Sequence, residues 1–410
     1  MLEVSTVSER TASTDVATGN HGSLRYQNIT SILRLIYRDR PISRVELSRI
    51  TGLNKATVSS LVAELVESGC VRFIGENPSE RAGRREVMMD IDPRKASAVS
   101  VEISIGNISV ISADLAGETF LRNDASFDPS LSAGKVIAKA AKMANSAVND
   151  AEAGNGKVAG VSVAVPGAVD IQTGRILFAP NLGWRNVPCL DVLRAKINYP
   201  VLVDNEASLA ALGEHFFGSA NGFHEVLYIS AGVGLGGGLI VEGDVYRGSS
   251  GIAGEFGHMT VDINGKTCSC GKKGCWETVA NESALFAEFR RLAPVTESGE
   301  DTSQMIDQIL VSARSGEKPG LESLRFIAQS LAVGIDSLIK SFDPQRVVLG
   351  GTLSSLSEFL IPMITRELRQ RPIFGLDRSA DVVAGAFGPD AALKGGIARV
   401  IRAFLNAPTI

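Results

Sequence analysis

The segment GEFGHMTVDINGKTCSCGKKGCWE, residues 254–277, carries the densest chemical signal in this 410-residue chain. One imidazole and three thiols follow the spacing H-x9-C-x-C-x4-C, and they belong to His258, Cys268, Cys270 and Cys275. Four ligands of this kind suit a closed tetrahedral zinc site. We therefore predict one structural zinc ion per chain, with chance clustering of buried cysteines as the alternative. A catalytic zinc is disfavoured because four protein ligands leave no position for water.

Two glycines and two carboxylates accompany these ligands. Gly271 and Gly274 allow the chain to fold tightly between the thiols. Glu255 lies three residues before the first ligand, and Glu277 lies two residues after the last. A metal-bound knot would hold both carboxylates rigidly, and rigid acceptors suit the recognition of polyols. The alternative is that both glutamates are simply exposed and solvated.

Charge is distributed unevenly along the chain, whose formal net charge is −4. Residues 24–95 carry 13 Lys+Arg against 9 Asp+Glu, whereas residues 96–410 carry 27 against 33. A mildly basic front on an acidic body is typical of a nucleic-acid-binding module attached to a larger domain. The content of 44% hydrophobic and 21% charged residues excludes general disorder.

The N-terminal segment, the longest uncharged run and the cysteines bear on the location of the protein. Residues 1–23 contain no apolar core segment and three acidic residues, so we predict a disordered tail rather than a signal peptide. The longest uncharged run, residues 226–241, is short and carries five glycines, so no membrane span is predicted. Because three of the five cysteines are clustered, a disulfide framework is not indicated and we expect a cytoplasmic protein.

Helical periodicity over residues 24–92 indicates a winged helix-turn-helix domain. Apolar residues at positions 29, 32, 33 and 36 predict a helix over 27–38. The following pattern divides at Thr51-Gly52, with a short apolar face from Val45, Leu47 and Ile50 before the division. A longer apolar face follows it and ends at Gly69. Two helices joined by a tight glycine-containing turn predict a helix-turn-helix.

The second of these helices has the composition of a DNA-recognition helix. The positions that would face base edges are short and polar, and they are Asn54, Lys55, Thr57, Ser59 and Ser60. A packed helical hairpin with a solvated face is the alternative.

A pair of strands after this helix strengthens the prediction of DNA binding. Residues 70–74 and 86–91 alternate like strands, and the loop between them contains Arg81, Arg84 and Arg85. Such a wing places arginines near phosphates or in a narrow minor groove. The alternative is a charged, solvated loop. Asp92-Pro93 then begins a linker.

Residues 96–410 predict an α/β body with mixed sheets in two lobes. Residues 98–115 suggest a β-hairpin that turns near Asn107, and residues 158–165 form the near-continuous apolar run of a buried strand. Further strands are predicted at 201–203, 226–229, 239–241 and 346–349, and further helices at 136–149, 207–215 and 326–341.

Seven segments then carry a family resemblance: VPGAVD (165–170), APNLGW (179–184), VDNEASLAALGE (203–214), AGVGLGGGLIVEGDVYRG (231–248), AGEFGH (253–258), CSCGKKGCWE (268–277) and DPQRVVLGG (343–351). They resemble the ROK family of repressors, open reading frames and sugar kinases, specifically its winged-helix, xylose-repressor-like transcriptional regulators. The similarity covers about residues 25–405. It implies an actin-like, sugar-kinase-type body with a sugar cleft between two lobes and a hinge near residue 205.

The resemblance also implies the residues that bind the sugar. They are Gly167, through its backbone, and Asn205, Glu206, Glu255, His258 and Glu277. His258 would then use one ring nitrogen for zinc and the other for a sugar hydroxyl.

Three departures from the kinases of this family predict that the chain is not an enzyme and has no catalytic residue. Glu206 stands where the kinases have a catalytic aspartate, and the extra methylene displaces the carboxylate. Residues 102–106, Glu-Ile-Ser-Ile-Gly, stand where the kinases have D-I-G-G-T, so Ser104 and Ile105 replace two phosphate-approaching glycines. Val233 replaces the threonine of a G-T-G turn and offers phosphate no hydrogen bond.

These features predict a sugar-responsive repressor of carbohydrate-utilisation genes, with operator DNA and a sugar or sugar phosphate as partners. A homodimer or dimer of dimers is expected because two winged helices reading a palindrome discriminate better than one. The alternatives are an ATP-dependent, glucokinase-like kinase fused to a DNA-binding module, and a zinc-stabilised scaffold that binds neither ligand. Xylose, glucose and N-acetylglucosamine all remain open as effectors, as does whether the sugar releases or recruits the protein.

Overall fold

The computed structural model describes residues 21–77, 86–249, 251–293, 302–372 and 380–408. The chain divides into two compact units between Asp92 and Pro93. The first unit contains the residues up to Asp92 together with those from Leu405 onward, and the second contains Pro93–Phe404. Among the described residues, no helix combines the length and apolar character that a bilayer crossing needs.

The first unit is a helix-turn-helix followed by a β-hairpin, with a short strand that completes a three-stranded sheet in the order β1-β3-β2. Its first helix begins at His21, within the segment 1–23 that was predicted as a tail. The elements are α1 (His21–Asp39), β1 (Ile42–Ser43), α2 (Arg44–Thr51), α3 (Lys55–Glu67), β2 (Val71–Asn77) and β3 (Glu86–Ile91).

Helices α2 and α3 are delimited by local hydrogen bonds. Ser43 and Asn54 cap their N-termini, each through a side-chain oxygen that accepts from a backbone N–H in the first turn. Gly52 ends α2 in the left-handed conformation, at φ 69°, as the Thr51-Gly52 division predicted. These caps set the three-residue turn that joins the two helices.

The core of this unit confirms the predicted faces of α1 and α3 but corrects that of α2. Leu47 is fully buried, whereas Val45 is 48% and Ile50 is 39% exposed. At about 100° per residue, Val45 lies about 200° around the helix from Leu47. A helix of only two turns presents one side to α1 and α3, so the predicted three-residue face of α2 was wrong.

The second unit contains two five-stranded mixed sheets. The first has the order β11-β7-β4-β5-β6 and the second the order β14-β13-β12-β15-β16, while β8, β9 and β10 form a small antiparallel sheet. The strands are β4 (Ser97–Ser104), β5 (Asn107–Asp114), β6 (Thr119–Ser126), β7 (Val158–Val165), β8 (Ala168–Asp170), β9 (Arg175–Ala179), β10 (Trp184–Val187), β11 (Val201–Asn205), β12 (Val226–Ala231), β13 (Leu235–Val241), β14 (Asp244–Val245), β15 (Arg346–Gly350) and β16 (Asp381–Ala384).

Each sheet has its own apolar core, and a third core lies between them. Helices α4 and α5 cover the first sheet, and α7 to α10 cover the second. The third core contains residues of α6, α11 and both sheets. The helices are α4 (Ala133–Asn155), α5 (Cys189–Arg194), α6 (Glu206–Phe217), α7 (Glu282–Leu292), α8 (Thr302–Arg314), α9 (Lys318–Phe342), α10 (Ser357–Arg369) and α11 (Ala391–Asn406).

The glycine run at 236–238 is a strand, although only residues 239–241 were predicted as one. Close packing explains why glycines stand in this strand. A Cβ atom at Gly238 would lie 2.5 Å from the Cβ of Ala211, and one at Gly237 would lie 2.4 Å from the ring of Phe256. The strand β6 was not predicted because it is an edge strand with mostly exposed side chains.

Helices α6 and α11 cross with their backbones in contact. A Cβ atom at Gly213 would lie 2.7 Å from the carbonyl oxygen of Ala391, and one at Gly395 would lie 1.7 Å from that of Leu209. Neither oxygen belongs to a flexible side chain that could move away. The crossing therefore requires glycine on both helices.

We expect Gly395→Ala to lower the free energy of unfolding by about 1–3 kcal/mol or more, because the added methyl group must separate the two helices. Chemical denaturation monitored by circular dichroism measures this change. Gly154→Ala in α4 is the matched control, because a Cβ atom there meets nothing within 4 Å. The control should be neutral or slightly stabilising, and equal effects of both substitutions would contradict the close crossing.

Candidate functional site

A cleft of about 730 Å³ opens in the second unit, lined by residues of both five-stranded sheets. All six residues that the family resemblance assigns to sugar binding line it: Gly167, Asn205, Glu206, Glu255, His258 and Glu277. Residues that replace the kinase phosphate contacts, Ser104, Ile105 and Val233, line the same cleft. The structure therefore brings the two predicted sets together in one cavity.

The four predicted metal ligands converge beside this cleft. One donor atom from each of His258, Cys268, Cys270 and Cys275 lies within 4.8 Å of all the others. The distance from Cys268 Sγ to His258 Nδ1 is 3.6 Å, and that from Cys270 Sγ to Cys275 Sγ is also 3.6 Å. Two ligand atoms on a tetrahedral zinc ion are about 3.5–3.8 Å apart. The donor set and its spacing therefore fit a metal ion of this type.

Glycines and one tryptophan hold the cluster in place. Gly271 and Gly274 adopt φ values of 90° and 68°, as expected for glycines that turn the chain between ligands. Trp276 follows the last ligand and is fully buried. Its Nε1 donates to the carbonyl oxygen of Ser330 at 2.8 Å, and its ring occupies the space where a side chain at Gly334 would lie. The cluster is thereby anchored to α9.

His258 has a different neighbour at each ring nitrogen. Nδ1 faces Cys268 in the cluster, whereas Nε2 lies 3.8 Å from Glu255 Oε2. Burial raises the pKa of Glu255 above its ordinary value. This arrangement leaves Nδ1 for the metal and turns Nε2 towards a carboxylate that lines the cleft.

Glu277 lies between the cluster and the cleft. Its Oε1 accepts a hydrogen bond from the thiol of Cys268 at 2.7 Å and lies 3.7 Å from His258 Nδ1. Its side chain is 17% exposed. The predicted sugar-binding carboxylate therefore contacts a predicted metal ligand through the thiol proton of Cys268, which that thiol would lose on binding a metal ion.

Asn205 joins the end of β11 to the start of α6. Its Oδ1 caps α6 by accepting from Ser208 N at 2.9 Å, and its Nδ2 donates to the carbonyl oxygen of Gly167 at 2.9 Å. Gly167 has φ 92°, and a Cβ atom there would lie 2.3 Å from the carbonyl oxygen of Phe178. These bonds fix the floor of the cleft and place Glu206 in the first turn of α6.

Two further glutamates in the cleft hold protons unusually tightly. Burial, followed by the negative charge of Glu255, raises the pKa of Glu206 to about 7. Burial also raises the pKa of Glu102 to about 8, with contributions from Glu206 and Asp390. Carboxylic acids near neutral pH can both donate and accept hydrogen bonds, which suits contact with hydroxyl groups.

The three positions at which the resemblance predicts lost phosphate contacts lie in or next to two turns of the cleft. Ser104 ends β4, and Ile105 lies in the turn to β5 with 46% of its surface exposed. Val233 lies in the turn between β12 and β13, where Asn281 Nδ2 donates to its carbonyl oxygen at 3.1 Å. The side chains of Ser104, Ile105 and Val233 line the cleft.

Sequence reasoning missed two clusters of charged residues near the cleft. In the first, Arg122 on β6 donates to both Asp124 and Asp390. Asp390 is 268 residues from Arg122, and no local pattern links the two. The two residues meet only because the fold places β6 beside the turn that precedes α11.

The second cluster surrounds Asp204, which is buried directly before Asn205. Arg247 donates to both of its carboxylate oxygens, at 2.7 and 2.6 Å, and Arg399 of α11 also donates to it. Burial lowers the pKa of Arg399 to about 10. Both Asp204 and Arg247 lie in segments that carried the resemblance, which was the available signal for this cluster.

In the first unit, the predicted DNA-contacting residues lie around the start of α3. Lys55 and Ser59 are exposed, Thr57 is half-buried, and Asn54 is exposed with its Oδ1 committed to the helix cap. Ser60 accepts a long hydrogen bond from Arg25, an exposed residue of α1 that sequence reasoning missed. The predicted wing residues Arg84 and Arg85, like Arg81, lie outside the described residues.

The two units together define a two-part protein, a winged helix followed by an actin-like, sugar-kinase-type body. A MarR family profile matches residues 30–85, and a ROK family profile matches residues 99–402. The ROK match covers most of the chain. This protein therefore belongs to the ROK family.

Relatives with both parts and relatives with the body alone are known. The chain is 31% identical over 398 residues to the xylose repressor of Caldicellulosiruptor bescii, covering 95% of this chain and 99% of that one. The fold is similar to that of a ROK family transcriptional regulator, a homologue of the E. coli Mlc protein, with a TM-score of 0.80, 23% identity, and coverage of 93% and 97%. It is also similar to a ROK glucokinase from Streptomyces griseus solved with glucose and AMPPNP, with a TM-score of 0.65, 30% identity, and coverage of 74% and 98%.

We expect Glu102→Gln to flatten the pH dependence of stability. The folded-state pKa of about 8 lies above the ordinary value of 4.5, so the stability that this group contributes at low pH is lost as pH rises from about 4.5 through about 8. Because the cleft admits water, the wild type should lose about 1–3 kcal/mol more than the variant over this range. Urea denaturation at several pH values measures the difference. The control Glu118→Gln, an exposed position outside the cleft, should leave the pH profile unchanged.

Proposed function

We propose that this protein is a sugar-responsive DNA-binding transcriptional repressor that lacks kinase activity. The proposal rests on the residues that line the cleft, in a chain that also has a winged helix. The cleft contains the carboxylates that the family resemblance assigns to sugar recognition, and the side chains of Ser104 and Ile105 stand where the resemblance places phosphate-approaching glycines. Its similarity to the xylose repressor along nearly the whole chain supports the same function.

The metal in this proposal is one structural zinc ion per chain. His258, Cys268, Cys270 and Cys275 would hold it, and a closed four-ligand site supplies folding energy rather than catalysis. The knot would then fix the ring of His258 at the wall of the cleft, and the Glu277 carboxylate would be free to accept from the ligand because the zinc-bound Cys268 thiolate no longer donates to it. The knot therefore presents preorganised hydrogen-bonding groups to the ligand.

The sugar-binding residues provide acceptors from several directions. Glu206, Glu255 and Glu277 can each accept hydrogen bonds from hydroxyl groups, and a protonated Glu206 can also donate one. Fixed acceptors of this kind discriminate between stereoisomers because a wrong hydroxyl leaves a buried polar group unpaired. Asn205 and the backbone of Gly167 complete the floor of the site, and the hinge of the two lobes lies near this junction.

Operator binding and sugar binding are coupled in this proposal. Two winged helices of a homodimer would read a palindrome, with Asn54, Lys55, Thr57, Ser59 and Ser60 towards the bases and Arg84 and Arg85 towards the backbone. Sugar would favour a closed cleft that suits the released conformation. A coupling free energy of about 1–3 kcal/mol is typical, and it is reciprocal, so operator DNA would weaken sugar binding by the same factor.

Sugar phosphorylation is the second candidate, and one observation favours it. Glu206 is a carboxylate in the cleft at the position of the kinase base, with a pKa of about 7 that suits proton abstraction. Against it stand the side chains of Ser104, Ile105 and Val233, because the first two hinder the approach of phosphate to the backbone and valine offers phosphate no side-chain hydrogen bond. Incubation with ATP and xylose, glucose or N-acetylglucosamine should therefore yield no sugar phosphate.

We expect purified protein to contain about one zinc ion per chain and Cys270→Ser to lower that content, because the site loses one of four ligands. Inductively coupled plasma mass spectrometry measures the metal, and thermal denaturation should show a lower Tm for the variant. Cys189→Ala is the control, since this buried thiol lies outside the cluster. Undiminished zinc in Cys270→Ser would contradict the assignment of the ligands.

We expect Lys55→Ala and Glu255→Gln to separate the two binding activities. Lys55→Ala should weaken operator binding about tenfold and leave sugar affinity unchanged, because it removes one DNA contact. Glu255→Gln should abolish the sugar response and preserve operator binding. The operator is selected from randomised duplexes, and fluorescence anisotropy with and without sugar measures both affinities. Lys135→Ala, which removes an exposed lysine of α4, controls for the loss of positive charge. If sugar does not change operator binding by the wild type, the proposal is refuted.

A further inference from the structure

The ionisable side chains that line the cleft are overwhelmingly acidic. Among the described lining residues there are six carboxylates, of Glu102, Asp124, Glu206, Glu255, Glu277 and Asp390, and one arginine or lysine, Arg122. Two of these groups, Glu102 and Glu206, have pKa values raised to about 8 and about 7 and are protonated in part near neutral pH. A phosphorylated ligand would add negative charge beside the other carboxylates, and like-charge contacts disfavour such a ligand.

Arg122 is the one cation of this set, and its donors are already engaged. Nη1 donates to Asp390 at 2.8 and 2.9 Å, and Nε and Nη2 donate to Asp124 at 2.8 and 3.2 Å. All three guanidinium nitrogens therefore bond to carboxylates. The group of three carries a net charge of −1 at neutral pH. The guanidinium fork of Arg122 has the geometry that binds a phosphate, but its nitrogens already donate to two carboxylates.

The N-terminus of α6 at the cleft also carries an acidic side chain. Helix N-termini attract anions through their free N–H groups and dipole. Asn205 Oδ1 already accepts from Ser208 N in this turn, and Glu206 places a carboxyl group there. A phosphate at this end of α6 would therefore meet an acidic side chain.

We propose that Asp124 and Asp390 determine specificity by neutralising Arg122, so that the cleft accepts an uncharged sugar and rejects its phosphate ester. This inference rests on the proposed sugar-binding function and names the chemical class of its effector. The two aspartates act by pairing with Arg122, the one arginine or lysine among the described residues that line the cleft. Removing both carboxylates leaves Arg122 free and lowers the negative charge around it.

The test compares wild type with the double variant Asp124→Asn/Asp390→Asn in the full-length, zinc-containing protein. Isothermal titration uses xylose, glucose and N-acetylglucosamine, together with xylose 5-phosphate, glucose 6-phosphate and N-acetylglucosamine 6-phosphate. Wild type should bind one neutral sugar at least about tenfold more tightly than its phosphate. The double variant should bind that phosphate about tenfold more tightly than wild type does, with neutral-sugar affinity within about twofold, and added salt should reduce the gain.

Two further variants assign the effect to Arg122. Adding Arg122→Gln to the double variant should abolish the gain in phosphate affinity, since the freed cation is then removed. Asp381→Asn is the matched control, because this aspartate pairs with Arg346 and does not line the cleft; it should change neither affinity. The side chains of Asp124 and Asp390 are 43% and 41% exposed, so the amide variants should fold, as an unchanged Tm verifies.

The outcomes separate this inference from the proposed function. Equal wild-type affinity for a sugar and its phosphate, no gain in the double variant, or a gain that survives Arg122→Gln would each overturn the inference while sugar binding stands. If none of the six compounds binds, the proposed sugar function fails and the inference fails with it.

Discussion

The second unit depends on the ion pairs that the buried carboxylate of Asp204 makes. It is almost fully buried, and two arginines from different elements, Arg247 and Arg399, donate to it. A buried charge is tolerated only when it is paired and hydrogen-bonded, and loss of the Asp204 carboxylate would leave two neighbouring arginines without the anion between them. Because Asp204 directly precedes Asn205 and Glu206, this network fixes the point where β11 becomes α6. The position of that junction therefore determines the position of the cleft floor.

Two sets of cleft residues differ in their chemistry. Glu255, His258 and Glu277 lie in or beside the metal-ligand cluster, which is anchored through Trp276. Ser104 and Ile105 lie at the turn from β4 to β5, whereas Val233 precedes Gly234, where a Cβ atom would lie 3.5 Å from Glu277 Oε2. Under the proposed function, a polyhydroxylated ring would use the first set, and the side chains of the second set would hinder the close approach of a triphosphate to the backbone.

Much of the fold could be predicted from the sequence because its signals are local. The glycine at 52 stops one helix, the periodicity of residues 29–36 defines another, and the spacing of His258 and the three cysteines defines the cluster. The short helix α2 was misjudged because three apolar residues over two turns do not specify a face. The glycine strand at 236–238 was missed because its cause is packing against α6 and Phe256. The pairing of Arg122 with Asp390 depends on tertiary structure alone, and no sequence pattern predicts it.

The contact between α6 and α11 sets a spacing inside the second unit. With glycine on both helices, Gly213 and Gly395, no side chains separate the two backbones at the crossing. The core between the two five-stranded sheets is built from these helices and from residues of both sheets. The layers there are as thin as bare backbone allows, and a single methyl group at either glycine would thicken them.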